Sequence, residues 1–107
     1  MMNIYLLEQD SVNGYDTYDS CVVIAESEQR AREMHPYLDY IKSVLVIWDD
    51  EKLAWVYLDD GRIYRRSGDE YTNWAHKPDD VKATLIGSAN GRAYRRRKVI
   101  CSSFNAG

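Results

Sequence analysis
The sequence predicts an α+β fold: a single domain, residues 1–107, with a largely antiparallel sheet of five to seven strands and one main helix packed on one face. Three observations lead there. Short runs rich in β-branched and aromatic residues recur along the chain, bounded by polar turn residues. Turn-forming pairs separate them, with Asp60-Gly61 and Asn90-Gly91 the strongest, because hairpin turns favour residues that accept φ > 0. One helical signature interrupts the strands, and Pro36 closes it. Runs of strands around one helix argue for a sheet with the helix laid on it.

Taken in order, Asn3 to Glu8 reads as the first strand. Residues 11–19 form a polar turn region around Asn13-Gly14, whose Asp and Thr side chains are suited to bonding their own backbone. Cys21 to Ala25 is an apolar run fit for a central strand. Ser27 is placed as a helix N-cap, with Glu28 putting negative charge in the first turn. Ala31 and Met34, three apart, mark the buried stripe, and Pro36 limits the helix to two or three turns, with an irregular turn following through Tyr37 to Tyr40.

Ser43 to Trp48 is read as a strand from Val44, Val46 and Ile47, although Tyr37, Tyr40, Ile41, Val44, Leu45 and Trp48 also fit helical spacing. Asp49 to Lys52 makes a turn, Leu53 to Leu58 a strand, and Asp60-Gly61 a two-residue hairpin loop that returns through Arg62 to Arg66. That loop would set Tyr57 opposite Tyr64 and Trp55 opposite Arg66. A slip of one residue would exchange the faces. Residues 67–78 are polar and irregular, anchored by Trp74. Val81 to Ile86 is a strand with Val81, Ala83 and Leu85 on one face, and the second hairpin leads into Val99 to Phe104.

The feature with most functional content is a repeat. Gly61-Arg62-Ile63-Tyr64-Arg65-Arg66 returns thirty positions later as Gly91-Arg92-Ala93-Tyr94-Arg95-Arg96. Read as two hairpin arms, the copies present Trp55, Tyr57, Arg62, Tyr64 and Arg66 on the first, and Arg92, Tyr94, Arg95, Arg96 and Arg97 on the second. Tyrosine, tryptophan and arginine are enriched among interface hot spots. Arginine beside tyrosine can also neutralise a phosphate while the ring stacks a base. Arginine on a strand edge equally protects against aggregation.

Composition sharpens the choice. The 107 residues carry nine tyrosines and three tryptophans against one phenylalanine, and a net charge of −3. Residues 1–60 hold thirteen acids and four bases, whereas residues 61–107 hold four acids and ten bases. Such polarity points to a partner with a strong field, or to acidic and basic strands paired in one sheet. A negative overall charge weighs against a nucleic-acid-binding domain.

No catalytic constellation is expected. His35 and His76 lack the close spacing of a zinc motif, so no metal and no cofactor are called. The acidic pairs Asp49-Asp50, Asp59-Asp60 and Asp79-Asp80 fall at turns, where Asp bonds locally. Cys21 and Cys101 are expected as buried free thiols, inert as nucleophiles. No apolar run approaches the roughly 18 residues of a membrane span. The start, Met1-Met2-Asn3-Ile4-Tyr5, shows no signal-peptide pattern, so a cytoplasmic protein is expected.

Two parts of the chain carry a family resemblance. Gly14-Tyr15-Asp16-Thr17-Tyr18-Asp19-Ser20, running through Val22-Val23-Ile24-Ala25-Glu26-Ser27 to His35-Pro36, is similar to small uncharacterised phage and prophage proteins. So are Asp80-Val81-Lys82, Leu85-Ile86-Gly87 and the ending Ser103-Phe104-Asn105-Ala106-Gly107. The resemblance covers about half of the chain and brings no functional residues with it. It implies a phage-encoded accessory protein, a class that includes inhibitors of CRISPR and other bacterial defences. The resulting expectation is a non-enzymatic protein that binds a host protein or a protein–nucleic-acid complex. The alternative is a nucleic-acid-binding protein using the two arms.

Overall fold
A computed structural model describes residues 2–12, 14–39, 41–89 and 96–105. Eight strands lie among them: β1 (Met2–Glu8), β2 (Thr17–Ala25), β3 (Met34–Asp39), β4 (Val44–Asp49), β5 (Ala54–Tyr57), β6 (Ile63–Arg66), β7 (Lys82–Ala89) and β8 (Lys98–Asn105). A five-residue helix α1 (Glu28–Arg32) joins β2 to β3, and a single 3₁₀ turn, Pro78–Asp80, precedes β7.

The single sheet with one main helix is not what forms. The strands make two four-stranded antiparallel sheets, ordered β7-β1-β2-β8 and β3-β4-β5-β6. The reason lies in the length of the helix. Five residues at ~1.5 Å each span about 7.5 Å, whereas four strands at ~4.8 Å spacing are about 14 Å across. So short a helix cannot cover the apolar face, and the second sheet supplies the missing layer. Tyr5, Leu7, Cys21, Val23 and Val81 from one side meet Met34, Val46 and Trp55 from the other in one core, which Ala31, Trp74 and Ala75 complete.

Several local readings hold. Ser27 caps α1, its hydroxyl accepting the Arg30 N–H at 3.2 Å. Ala31 and Met34 are both fully buried, although Met34 already belongs to β3. Residues 44–49 are strand, which removes the helical alternative. The Asp49 carboxylate accepts the N–H groups of Glu51 and Lys52, as a turn aspartate should. Trp74 anchors its irregular segment with no exposure at all.

Other readings need correction. Residues 34–39, expected as helix end and irregular turn, form β3. It lies at the edge of its sheet, where a proline is tolerated because no ladder bond is lost. The first hairpin is not closed by a two-residue loop. Tyr57 donates its N–H to Arg62 O and Gly61 donates to Tyr57 O, both at 2.9 Å, so residues 58–61 make the loop. Asp59 and Asp60 widen it by accepting the N–H groups of Asp60 and Arg62. The register becomes Val56 opposite Ile63, Trp55 opposite Arg65 and Ala54 opposite Arg66, with an irregularity at Tyr64.

The turn expected at Asn90-Gly91 and residues 92–95 lie outside the described residues; the flanking strands β7 and β8 do not pair, standing at opposite edges of their sheet with β1 and β2 between them. Val81 is buried and Ala83 packs on the core, but Leu85 is exposed where the β1–β7 register shifts. Cys101 is exposed rather than buried: it pairs with Val22 on edge strand β8, one register position from buried Cys21.

Candidate functional site
The first arm builds an interlocked set of rings. Tyr37 and Tyr64 stack with centroids 4.8 Å apart, and Tyr57 meets Tyr64 edge-on at 5.6 Å. The Arg62 guanidinium lies 4.5 Å from the Tyr57 ring centre and the Arg65 guanidinium 4.6 Å from that of Tyr64. These two arginines therefore already have aromatic partners within the chain. Arg66 is exposed on the edge strand β6. Trp55, a candidate contact residue from the sequence, is fully buried, its indole N–H donating to Ala75 O at 2.8 Å. It organises the core and offers no surface.

Beneath the rings lies a polar relay that sequence reasoning missed. Between Met34 and Leu38, β3 carries two more residues than the facing stretch of β4. Pro36 has no N–H to place there, and the N–H of Tyr37 donates to His35 Nδ1 at 2.9 Å. That bond makes Nδ1 the acceptor and Nε2 the protonated nitrogen. Nε2–H donates to Asn73 Oδ1 at 3.0 Å, and Asn73 Nδ2 donates to the Tyr64 hydroxyl at 2.9 Å. Trp55, Tyr64 and Tyr18 enclose the imidazole edge-on. Burial pushes His35 down to about 3, against the opposing pull of its Asn73 hydrogen bond and with the Arg65 charge adding to the fall. Burial also raises the Tyr64 phenol above its ordinary value. His35 is thus a neutral structural hub. The only sequence signal for it was a histidine beside a proline at the start of an apolar stretch.

The surface feature suited to a ligand lies elsewhere, in a cleft of about 700 Å³. Its floor is aliphatic: Leu38 from β3, Val44 and Leu45 from β4, Leu58 from the β5–β6 loop and Val99 from β8. Its rim carries Arg96, Arg97 and Lys98 beside Glu26 and Asp59. Of the candidate contact residues, Arg96 and Arg97 line the cleft, whereas Trp55, Tyr57, Arg62, Tyr64 and Arg66 do not. Arg92, Tyr94 and Arg95 lie outside the described residues.

No family model, no curated protein and no solved structure matches the chain. Among the described residues no group of three or more potential metal ligands gathers, and no helix is long and apolar enough to cross a membrane. What the cleft offers chemically is apolar contact under a positively charged rim. Its polar lining consists of Arg96, Arg97, Lys98, Glu26, Asp59 and Ser43.

Proposed function
We propose that this protein works by binding another protein at the cleft between its two sheets, without catalysing a reaction. The observation that carries the reading is the cleft itself, where five aliphatic side chains from four separate segments lie under Arg96, Arg97 and Lys98. Binding sites combine an apolar surface with a few polar groups that fix orientation. The resemblance to phage and prophage accessory proteins supports a setting in the bacterial cytoplasm. There the partner is a host protein or protein–nucleic-acid complex, and the outcome is inhibition of a defence system of the CRISPR type.

Direct nucleic-acid binding is the competing reading, and the rim cations are what speak for it. The aliphatic floor speaks against it, since a phosphate backbone buries nothing there. So do the first-arm arginines, which already lie over Tyr57 and Tyr64. Affinity purification from host lysate, with and without nuclease, tests the choice. The protein-binding reading expects a specific host protein retained after nuclease and lost from the Leu58→Asp variant. Recovery of nucleic acid alone, released steeply by salt, would replace it with the competing reading.

A further inference from the structure
We infer that the occupant of the cleft is an extended acidic segment of the partner, with one bulky apolar side chain among its carboxylates. This rests on the protein-binding reading and deepens it. The rim charges are not equally committed. Glu26 is held by Arg97 at 3.8 Å and by Arg30 at 3.9 Å, and Asp59 accepts the Asp60 N–H at 2.7 Å. Arg96 and Lys98 make no ion pair among the described residues and are exposed. Glu26 is thus answered by cations from within the chain, Asp59 is engaged only by a local backbone N–H, and two cations of the cleft are left for a ligand. A carboxylate-bearing segment meets complementary charge, and a basic one meets three cations.

The floor adds the second requirement. Leu58 is 47% exposed at the hairpin tip, with Leu38, Val44, Leu45 and Val99 half-buried around it. Burying an apolar side chain against such a surface strengthens binding, so a purely charged ligand leaves the aliphatic floor unused. The third requirement is shape. Leu38 belongs to β3 and Lys98 and Val99 to β8, both strands at the edges of their sheets. Edge strands offer main-chain groups to an extended chain, as in strand-addition recognition.

The test is a titration of the full ¹⁵N-labelled chain followed by NMR. Four probes are used: a short Asp/Glu-rich peptide with a central leucine, the same peptide with serine for leucine, its lysine counterpart, and a short single-stranded DNA. The acidic leucine peptide should shift the amides of Leu58, Lys98 and Val99 and bind more tightly than the serine version, and the lysine peptide should not bind. Arg96→Glu with Lys98→Glu should weaken the acidic peptide about tenfold, since two exposed charge contacts are lost and reversed. Its melting temperature should stay unchanged, because both side chains are exposed. Equal binding of the lysine peptide, tighter binding of DNA, or shifts confined to other surfaces would overturn the proposal. If a host protein is captured through the cleft while no acidic peptide binds there, the acidic-segment inference falls and the protein-binding reading stands. If neither binds, both fall.

Discussion
His35 and Asn73 stand thirty-eight residues apart in the chain and 3.0 Å apart in the fold. Their contact joins β3 to the irregular segment before β7 and fixes the ring that supports Tyr64. Removing it leaves a buried imidazole N–H without an acceptor. Asn73→Ala should therefore cost about 1–3 kcal/mol, the desolvation penalty of an unmet buried donor. Tyr64→Phe removes only the acceptor of the Asn73 amide and should cost less by the hydrogen-bond criterion, once its ring contacts are kept. Urea denaturation of the two variants checks the order.

The same histidine sets an acid sensitivity. Its ordinary value is 6.5, the unfolded reference, and burial lowers it to about 3 in the folded chain. Above the unfolded value both states hold it neutral, and the His35 contribution to stability is constant. As pH falls through the window between the two values, the unfolded chain takes up a proton that the folded chain refuses. Stability is lost across that window and levels off below the folded value. The acid limb of a stability–pH curve should accordingly be shallower in a His35→Gln variant than in the native chain.

Two tryptophans of equal burial should respond differently to loss of the indole N–H. Trp55 donates its N–H to Ala75 O, whereas the Trp74 N–H is buried with no partner among the described residues. Trp55→Phe leaves a carbonyl unmet and loses a hydrogen bond, and Trp74→Phe relieves an unmet donor. Trp55→Phe should be the more destabilising by about 1 kcal/mol or more, read from paired thermal melts.

The thiols give a direct check on the face assignment of β8. Cys101 is exposed, while burial and the neighbouring Cys101 push Cys21 up to about 12. A thiol-specific reagent should modify one cysteine in the native protein and two after denaturation. Modification of both without unfolding would contradict the assignment.

Much of the local structure was legible in the sequence because it depends on neighbours. Ser27 capped its helix and Asp49 closed its turn, each through bonds reaching only a few residues, whereas the helix ended at Arg32, before Pro36 could act on it. The edge strand β3 was misread because a His-Pro pair interrupts its pattern, and its two added residues are absorbed by the imidazole itself. The second sheet followed from the shortness of α1, which only the termini of that helix reveal. Cys101 looked buried since an apolar run does not say whether its strand is central or at an edge.

Of the candidate contact residues, Arg96 and Arg97 do line the cleft, while Trp55 proved to be core. The floor of Leu38, Val44, Leu45, Leu58 and Val99 was not legible at all, as it needs two sheets to meet before those positions become neighbours.

The central claim is that a partner protein seats in this cleft. Replacing Leu58 with a photo-crosslinking amino acid, and Leu85 with the same group as control, tests it in host lysate. Leu58 lines the cleft, whereas Leu85 is exposed on β7, at the edge of its sheet opposite β8. Irradiation should yield one discrete crosslinked protein from position 58 and none from position 85. A specific crosslink from position 85 with none from position 58 would contradict the account.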